Sequence, residues 1–546
     1  MASKLAAGVL IAVSLFQAAV VDAAKPTTVE DIKKTLEANG LDTSKLPSTA
    51  GYEIEDDSGI NTAPQHCNLL CPALARIFPG QTLTRNQSLL FTNWTDAFWS
   101  QQQEETTPQC IFKPRSAVEV SSSVLLAELY TCSFAIKSGG HAAFAGSSSI
   151  ENGLNIDLSK LKSITLSENR DVAYVGPGNR WVDVYDHLLP YNLSVIGGRV
   201  SDIGVGGLTT GGGISFFSQI YGWACDNVVN YEVVLASGAI VNANTTSNPD
   251  LYWALRGGGN NFGIVTRFDL STHSQGPLWS GTLIYTPDKS DQLIEAFYNY
   301  GVNAATDPKS ALIMNWAYAE GTFLGVADIE YADSTVNPPI FQNFTNISTI
   351  QNTMAVRTLP EVTDMFKESN PDGLRESYWT ATFVLTKDMV SFLVNTFEEE
   401  SIRAANATAY TPALVLQIIS TDVTKHMQKN GGNAIGLSPS DGNLLLLNLS
   451  FMWAEIADDN LILDILGTIT AKSIAYAKAN DLYKEYLYMN YASQYQAVLP
   501  SYGRENLEQL QKVSQTYDPL QVFQRLQPGY FKLTEQAPNA TYPSSS

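Results

Sequence analysis

Four glycine-rich segments carry the residue types best suited to hold a flat or anionic ligand against the main chain. The first comprises Lys137, Ser138, Gly139, Gly140 and His141. It follows a β-branched and aromatic run that predicts a strand over residues 133–136. A glycine turn that leaves a strand exposes backbone N–H groups, which can bind a pyrophosphate. The spacing is neither a Walker sequence nor GxGxxG, so it does not indicate a nicotinamide domain.

The other three segments are residues 204–215, 221–228 and 256–266. Glycine at this density lets a ligand lie directly against the backbone. Turn chemistry between strands would account for residues 221–228 or 256–266 if either stood alone. A flexible linker is excluded because the glycines are embedded in strand-like sequence and not in a Ser/Pro tract. On residue type alone, a single loop histidine such as His141 is more often a structural hydrogen-bonding group than a catalytic one.

The elements around these segments predict an α+β fold in two domains. In the first half, strands are predicted at residues 134–137, 154–157, 172–175 and 230–235, and a helix at 118–130. In the second half, strands are predicted at 280–285 and 444–454, and amphipathic helices at 291–300, 386–397 and 461–479. The second half is therefore expected to be a sheet backed by helices.

Composition restricts the class of partner. The 546 residues suffice for two domains, and the net charge is −21, from 33 basic and 54 acidic residues. A polyanion repels nucleic-acid phosphates and anionic membrane surfaces, so no nucleic-acid partner is expected. No metal site is expected either, because there are only five histidines and none flanks the cysteines at ligand spacing.

The N-terminus predicts export. Lys4 precedes an apolar run over residues 5–21, and Ala23 and Ala24 follow as a cleavage site. A membrane anchor is the alternative, but the run is short for a span and ends without a basic stop. Glycosylation acceptors of the Asn-x-Ser/Thr type occur at Asn86, Asn93, Asn192, Asn244, Asn343, Asn346, Asn406, Asn448 and Asn539. Their density favours a secreted, extracellular glycoprotein with no membrane association after cleavage.

Cysteine spacing agrees with an oxidising compartment. Cys67, Cys71, Cys110 and Cys132 can form two disulfides, for which three pairings are open. Cys67 and Cys71 are one helical turn apart, which favours a bond from each to a distant segment. Cys225 is then left over.

The four glycine segments, in this order, resemble the FAD-linked oxidoreductases of the vanillyl-alcohol oxidase type, and within them the fungal secreted members of the berberine bridge enzyme-like branch. The resemblance extends from about Cys67 to Leu533 and includes Tyr488, Met489, Asn490 and Tyr491. It implies a two-lobed FAD-binding domain of the PCMH type with a separate α+β substrate domain. The implied division is 1–23 (signal peptide), 24–103 (N-terminal segment), 104–276 (FAD-binding domain), 277–481 (substrate domain), 482–534 (C-terminal segment returning to the FAD domain) and 535–546 (disordered tail).

The resemblance also assigns a cofactor, FAD, attached covalently and singly through His141. The other residues implied to bind it are Lys137, Ser138, Gly139, Gly140, Ala142, Gly146, Val205, Gly206, Gly207, Thr210, Gly211, Gly212, Gly213, Ser215, Asp226, Asn227, Gly263, Ile264, Val265 and Asn490. Some relatives attach the flavin a second time through a cysteine before the second glycine segment. Val200 stands at that position here, so double attachment is not expected.

Tyr491 and Tyr488 match the positions from which related oxidases draw a catalytic base. A phenol, with an ordinary pKa of about 10, needs a neighbouring cation or hydrogen-bond donor to act as a base. Many relatives carry an Asp where this chain has Ser493. The expected activity is oxidation of an alcohol group on a small carbohydrate, phenolic or secondary metabolite, with molecular oxygen as acceptor, by a monomer. Val205 near the expected oxygen approach favours an oxidase; the alternatives are a dehydrogenase with another acceptor and a catalytically silent flavin-binding secreted protein.

Overall fold

The computed structural model describes residues 28–47 and 66–539. The predicted signal peptide, residues 1–23, lies outside the described residues, as do residues 540–546 of the predicted tail. Residues 535–539 of that tail are described, and at their end the backbone and side-chain amides of Asn539 both donate to Gln494, each over 2.8 Å.

The N-terminal domain contains short strands and helices in alternation. Its strands are β1 (Thr82–Thr84), β2 (Cys110–Phe112), β3 (Phe134–Lys137), β4 (Leu154–Asp157), β5 (Ile164–Leu166), β6 (Val172–Val175), β7 (Leu193–Val195), β8 (Val228–Val234), β9 (Ile240–Ala243) and β10 (Ile264–Ser274). Its helices are α1 (Val29–Ala38), α2 (Cys67–Ile77), α3 (Ser88–Thr95), α4 (Gln101–Glu104), α5 (Ala117–Leu129), α6 (Trp181–Leu188), α7 (Val205–Thr210), α8 (Ser218–Tyr221) and α9 (Pro249–Leu255). The predicted strands and helix of this half are all present.

These strands form two sheets. The first has the order β1-β2-β4-β3, with β2 and β3 both parallel to β4, and α5 connects β2 to β3. Ser116 caps α5 by accepting a hydrogen bond from the Glu119 N–H, and the helix is buried on nearly all sides. The second sheet is antiparallel, with the order β5-β6-β10-β8-β9 and β7 paired to the end of β10.

Two disulfides fasten α2 to the first sheet. Cys67 bonds to Cys132, just before β3, and Cys71 bonds to Cys110 at the start of β2. The expectation that Cys67 and Cys71 each reach a distant segment is confirmed. Cys225 is a free, buried thiol.

The second domain is built around one large antiparallel sheet. Its strands are β11 (Leu278–Tyr285), β12 (Ser310–Ala319), β13 (Thr322–Tyr331), β14 (Gln351–Asn352), β15 (Ala355–Arg357), β16 (Arg375–Val384), β17 (Thr411–Ile419), β18 (Leu444–Trp453) and β19 (Tyr483–Lys484). Its helices are α10 (Ser290–Asn303), α11 (Gln342–Thr345), α12 (Leu359–Glu368), α13 (Lys387–Ser401), α14 (Thr421–His426) and α15 (Asp459–Ala479). The strand order is β14-β11-β13-β12-β17-β18-β16-β19, with β15 also paired to β11.

The two faces of this sheet have different tasks. Because successive side chains of a strand point to opposite faces, every second residue joins the same layer. On one face, Met314, Leu416 and Leu447 belong to a fully buried apolar cluster that includes residues of α10, α13 and α15. Residues of the alternate set, such as Asn315 and Val415, line a cavity instead. The predicted sheet backed by helices is confirmed.

The chain then returns to the N-terminal domain through α16 (Arg504–Tyr517) and α17 (Val522–Arg525). The Phe134 N–H of β3 donates to Leu526 O over 2.6 Å, and the Asn261 amide donates to Phe531 O over 2.9 Å. Contacts of this kind make the C-terminal segment part of the first domain's core.

One glycosylation acceptor expected from the sequence is wrong. Asn448 is buried in the middle of β18, paired with Val415 on one side and Thr380 on the other, so the folded protein has no room for a glycan on its amide. Asn86, Asn93, Asn192, Asn343, Asn346, Asn406 and Asn539 are exposed. Among the described residues, no helix is both long and apolar enough to cross a bilayer.

Removing the bond between Cys71 and Cys110 tests the fold. The double variant Cys71→Ala/Cys110→Ala is expected to lose about 2–5 kcal/mol of unfolding free energy, because the unfolded chain regains the entropy of an open loop. The measurement is denaturant unfolding, with Cys225→Ala as a control that removes a buried thiol but no cross-link. An unfolding midpoint for the double variant no lower than that of the control contradicts the expectation.

Candidate active site between the two domains

A cavity of about 640 Å³ lies between the glycine-rich loops of the N-terminal domain and the open face of the large sheet. Its size is typical of sites that enclose a cofactor or drug-sized ligand. One side is formed by the first and second glycine-rich segments (residues 137–141 and 204–215, called the first and second glycine loops), the start of β10 and the segment around Tyr488. Alternate residues of β11, β12, β13, β17 and β18 supply the other.

The first and second glycine loops cross in close contact. A Cβ on Gly139 would collide with the backbone of Gly204, and a Cβ on Gly204 would collide with the backbone of Gly139. Ser138 fastens the crossing, since its hydroxyl donates to Pro177 O over 2.6 Å and accepts from the Gly206 N–H over 3.1 Å. The crossing brings the chain after β3 and the first turn of α7 to the same wall of the cavity.

His141 is held at this wall by the N-terminal segment. Its imidazole stacks on the Trp99 indole, with ring centroids 4.2 Å apart and an interplanar angle of 14°. Two hydrogen bonds fix the loop that carries His141. The backbone N–H of Trp99 donates to Gly140 O over 3.1 Å, and the side-chain amide of Gln103 donates to Ala142 O over 2.7 Å. The histidine therefore has a set orientation before any ligand binds.

Behind His141 lies a buried carboxylate, Asp202. Its Oδ1 is 3.5 Å from His141 Nε2, and neither atom has a hydrogen-bond partner among the described residues. Its Oδ2 is 2.6 Å from Lys367 Nζ of α12 and 3.6 Å from an Arg180 guanidinium nitrogen. Burial raises the pKa of Asp202, but the neighbouring His141 and the charge of Lys367 outweigh burial and hold the pKa well below its usual range. The group is an anion at any working pH.

Tyr491 lies on the cavity wall with its phenol oxygen between two donors. An Arg199 guanidinium nitrogen donates to it over 2.5 Å, and the Gln417 amide donates over 3.1 Å. Arg199 also donates to Gln417 Oε1 over 2.7 Å, which locks both donors in place. The Tyr491 oxygen thus has two fixed hydrogen-bond donors directed at it, one of them cationic.

Tyr488 is a buried anchor beside it. The two rings meet edge to face, with centroids 4.8 Å apart. The Tyr488 oxygen accepts from the Ile214 N–H and from the Asn490 amide, each over 3.1 Å. Burial, followed by the nearby Tyr491, raises the pKa of Tyr488. Asn490 also donates to Leu208 O over 3.0 Å, so this pair ties the C-terminal segment to the second glycine loop.

Many of the residues predicted from the sequence converge here. Those that line the cavity are Ser138, Gly139, Gly140, His141, Ala142, Gly206, Gly207, Thr210, Gly263, Ile264, Val265, Tyr488, Asn490 and Tyr491. Those that do not are Lys137, Gly146, Val205, Gly211, Gly212, Gly213, Ser215, Asp226 and Asn227. Val200, in place of a cysteine, lines the cavity, and no thiol is found among its described lining residues.

The residues outside the lining support the loops from behind. Asp226 is buried and accepts from the Trp223 N–H over 2.9 Å and from the Asn433 amide over 2.7 Å. Asn227 donates to Trp223 O over 2.8 Å. The ammonium of Lys137 lies 5.1 Å from the ring centroid of Phe98, which is itself outside the cavity lining. Val205 is fully buried.

Sequence reasoning missed Trp99, Arg199, Asp202 and Gln417. Arg199 and Asp202 were visible as two charged residues in a glycine-containing loop, residues 197–204, directly before the second glycine segment. Trp99 and Gln417 gave no comparable signal, because they reach the site only through tertiary packing. No group of three or more potential metal ligands occurs in the described part of the chain.

Comparisons with known proteins point to one family. A family model described as an FAD binding domain matches residues 108–244. The chain is 37% identical to the FAD-dependent monooxygenase tpcD of Cochliobolus heterostrophus, over 80% of this chain and 87% of that protein. It is 35% identical to the FAD-dependent monooxygenase FUP4 of Fusarium proliferatum, with the same coverage of 80% and 87%.

Solved structures share the fold. The 6-hydroxy-D-nicotine oxidase of Arthrobacter nicotinovorans aligns with a TM-score of 0.68 at 19% identity, covering 82% of this chain and 96% of that one. The berberine bridge enzyme of Eschscholzia californica aligns with a TM-score of 0.67 at 17% identity, covering 83% and 97%. Both alignments span the two domains.

The loop crossing can be tested by adding one methyl group. Gly139→Ala is expected to lower the unfolding free energy by more than about 2 kcal/mol, because the crossing backbone cannot move aside in a packed interior. Gly207→Ala is the matched control: its Cβ would meet no heavy atom within 4 Å, and alanine favours the helix at that position. Equal stability of the two variants in denaturant unfolding would contradict the close crossing.

Proposed function

The chain belongs to the FAD-linked oxidoreductases of the vanillyl-alcohol oxidase type, in the berberine bridge enzyme-like branch, and from this premise we propose that it is a secreted oxidase of small-molecule alcohols. The observation that carries the proposal is the Tyr491 oxygen on the cavity wall, held between Arg199 and Gln417. A base at this point is what alcohol oxidation requires of the protein.

The residues on the wall fit an FAD. The crossing of the glycine loops leaves main chain without side chains facing the cavity at Gly206 and Gly207, where a Cβ on Gly207 would project into open space. The His141 imidazole lines the same wall, and Asp202 lies 3.5 Å from its Nε2. These loops would hold the cofactor, with a single covalent bond through His141. A bound flavin would supply the hydride acceptor and the two-electron transfer to molecular oxygen that yields hydrogen peroxide.

The protein's own residues supply proton transfer and orientation. Tyr491, held by Arg199 and Gln417, accepts the proton of the substrate hydroxyl. Tyr488 remains a phenol, since burial raises its pKa, and keeps Tyr491 in position through the edge-to-face ring contact. Asp202, whose charge is balanced by Lys367, orients His141 from behind.

The curated relatives favour a second candidate function. They are named FAD-dependent monooxygenases, so insertion of one oxygen atom into the substrate is the alternative to peroxide release. Turnover under isotopically labelled oxygen distinguishes the two: an oxidase places the label in hydrogen peroxide, and a monooxygenase places it in the product. A dehydrogenase would instead need an artificial acceptor and would give neither result.

Export and a monomeric state belong to the proposal as well. Two disulfides and several exposed glycosylation acceptors suit an oxidising, extracellular compartment. The partners are the substrate and molecular oxygen.

Replacement of His141 tests the attachment. His141→Ala is expected to lose flavin on acid precipitation, because no covalent bond remains, while the wild-type pellet stays yellow. The measurement is flavin absorbance per mole of precipitated protein. His273→Ala, which removes an imidazole outside the cavity, serves as the control. A His141→Ala pellet as yellow as the wild type would overturn the attachment.

Replacement of Tyr491 tests the base. Tyr491→Phe is expected to slow flavin reduction by substrate about 10²-fold or more, because the proton acceptor is gone. Stopped-flow absorbance under anaerobic conditions gives the rate. Tyr378→Phe removes another cavity-facing phenol and is expected to slow the step less than about tenfold. Equal rates for wild type and Tyr491→Phe would remove Tyr491 from this role.

A further inference from the structure

The substrate side of the cavity is the open face of the large sheet. Val326 and Asp328 of β13 face the cavity, whereas Ala327 and Ile329, the residues between and after them, lie in the apolar core. The strands on either side follow the same alternation. The chemistry of this face is therefore set by a few alternate residues, and most of those near β13 are apolar.

Asp328 stands out on this face. Among the described residues that line the cavity it is the single carboxylate. Thr282, directly opposite on β11, donates its hydroxyl to Oδ1 over 2.7 Å. Asn315 of β12 donates its amide to Oδ2 over 2.9 Å. Each carboxylate oxygen can accept a further hydrogen bond, so the group is oriented but not saturated.

No ion pair neutralises Asp328 in the part of the chain that the structure describes. Burial raises the pKa of Asp328 to about 6, although the hydrogen bonds from Thr282 and Asn315 and the charge of Arg199 act in the opposite direction. A carboxylate in this setting gains from any donor that a ligand brings. Asp202 differs because it already has Lys367 as counter-ion.

We propose that Asp328 selects the substrate by accepting a hydrogen bond from a phenolic hydroxyl on a flat, otherwise apolar molecule. This inference rests on the proposed function and names the substrate class. Next to Asp328, the cavity-facing side chains include Val326 of β13 itself, Ile284 of β11 and Ile313 of β12, which suit an aromatic ring.

Other substrate classes fit this region less well. A carbohydrate needs a partner for each of several hydroxyls, but the polar neighbours of Asp328, Thr282 and Asn315, already donate to it. A carboxylate or phosphate would be repelled by Asp328. A cation would lie in the field of Arg199, whose charge already acts on Asp328. A neutral hydroxyl avoids both penalties.

The test measures binding to the flavin-loaded protein by titration calorimetry, with ligands that have no alcohol carbon to oxidise. The probes are 2-naphthol, 2-methoxynaphthalene, which lacks the donor, and 2-naphthylmethylamine, which is cationic. Wild type is expected to bind 2-naphthol about tenfold or more tightly than the methoxy compound, the size of one hydrogen bond to a charged group. The preference for 2-naphthol over 2-methoxynaphthalene is expected to vanish in Asp328→Leu. In Asp328→Asn it is expected to fall to a fewfold difference in affinity.

Asp288→Asn is the control, because it removes the same charge from an exposed turn, and the preference should persist. Asp328→Asn keeps the side-chain shape, so the test stands even where Asp328→Leu fails to fold. The proposal is overturned by equal binding of 2-naphthol and 2-methoxynaphthalene to wild type, by an unchanged preference in Asp328→Asn, by tighter binding of the amine, or by no binding of any probe. Failure of the proposed oxidation would appear separately, as absent peroxide with alcohols despite intact 2-naphthol binding.

Discussion

The site depends on one steric constraint, the crossing of two backbones at Gly139 and Gly204. Neither position tolerates a Cβ, because each would place it inside the main chain of the other loop. The crossing lets Ser138 bridge to Gly206 and fixes where α7 begins. The crossing also sets the position of His141, two residues after Gly139. His141, the two glycine loops and Tyr488 are therefore held in fixed positions relative to one another. Without the crossing, the first two glycine segments would be separate turns.

The second constraint is register in the large sheet. Because the side-chain period of a strand is two, a slip of one residue in β13 would bury Asp328 in the apolar core and turn Ile329 into the cavity. The long pairing of β13 with β12, which runs from Thr322 opposite Ala319 to Tyr331 opposite Ser310, opposes such a slip. One face thus supplies stability through packing on helices, and the other is free to carry chemistry.

The sequence predicts most of the elements, since their signals are local. The helix α5 and the strand β18 appear at nearly the predicted residues, because apolar periodicity over ten or more residues decides them. The glycine segments are also local signals, because their glycine density can be read directly from the sequence. Gln417 and Asp328 were not, because an alternating strand does not reveal which of its two faces meets a cavity. Asn448 shows the same limit, since a glycosylation signal carries no information on burial.

The sequence also does not distinguish residues that support the glycine loops from behind from residues that line the cavity. Asp226 and the Gly211–Gly213 stretch lie within the recognised segments, yet they hold the loop from behind, against Trp223 and Asn490. A run of glycines serves close backbone contact whether the neighbour is a ligand or another part of the protein. Only the tertiary structure distinguishes the two uses.

The charges divide the cavity into two ends with different roles. At the His141 end, Asp202 forms an ion pair with Lys367 and lies near Arg180, so its charge stabilises this part of the cavity wall. At the sheet end, Asp328 has hydrogen-bond donors but no counter-ion among the residues that the structure describes. Arg199 donates to Tyr491 between these ends. A paired buried carboxylate gains little from a ligand, whereas an unpaired one gains a partner when a ligand binds. Arg199 thus donates a hydrogen bond to Tyr491 but acts on Asp328 only through longer-range electrostatic attraction. The Asp328 carboxylate therefore remains available to discriminate among substrates.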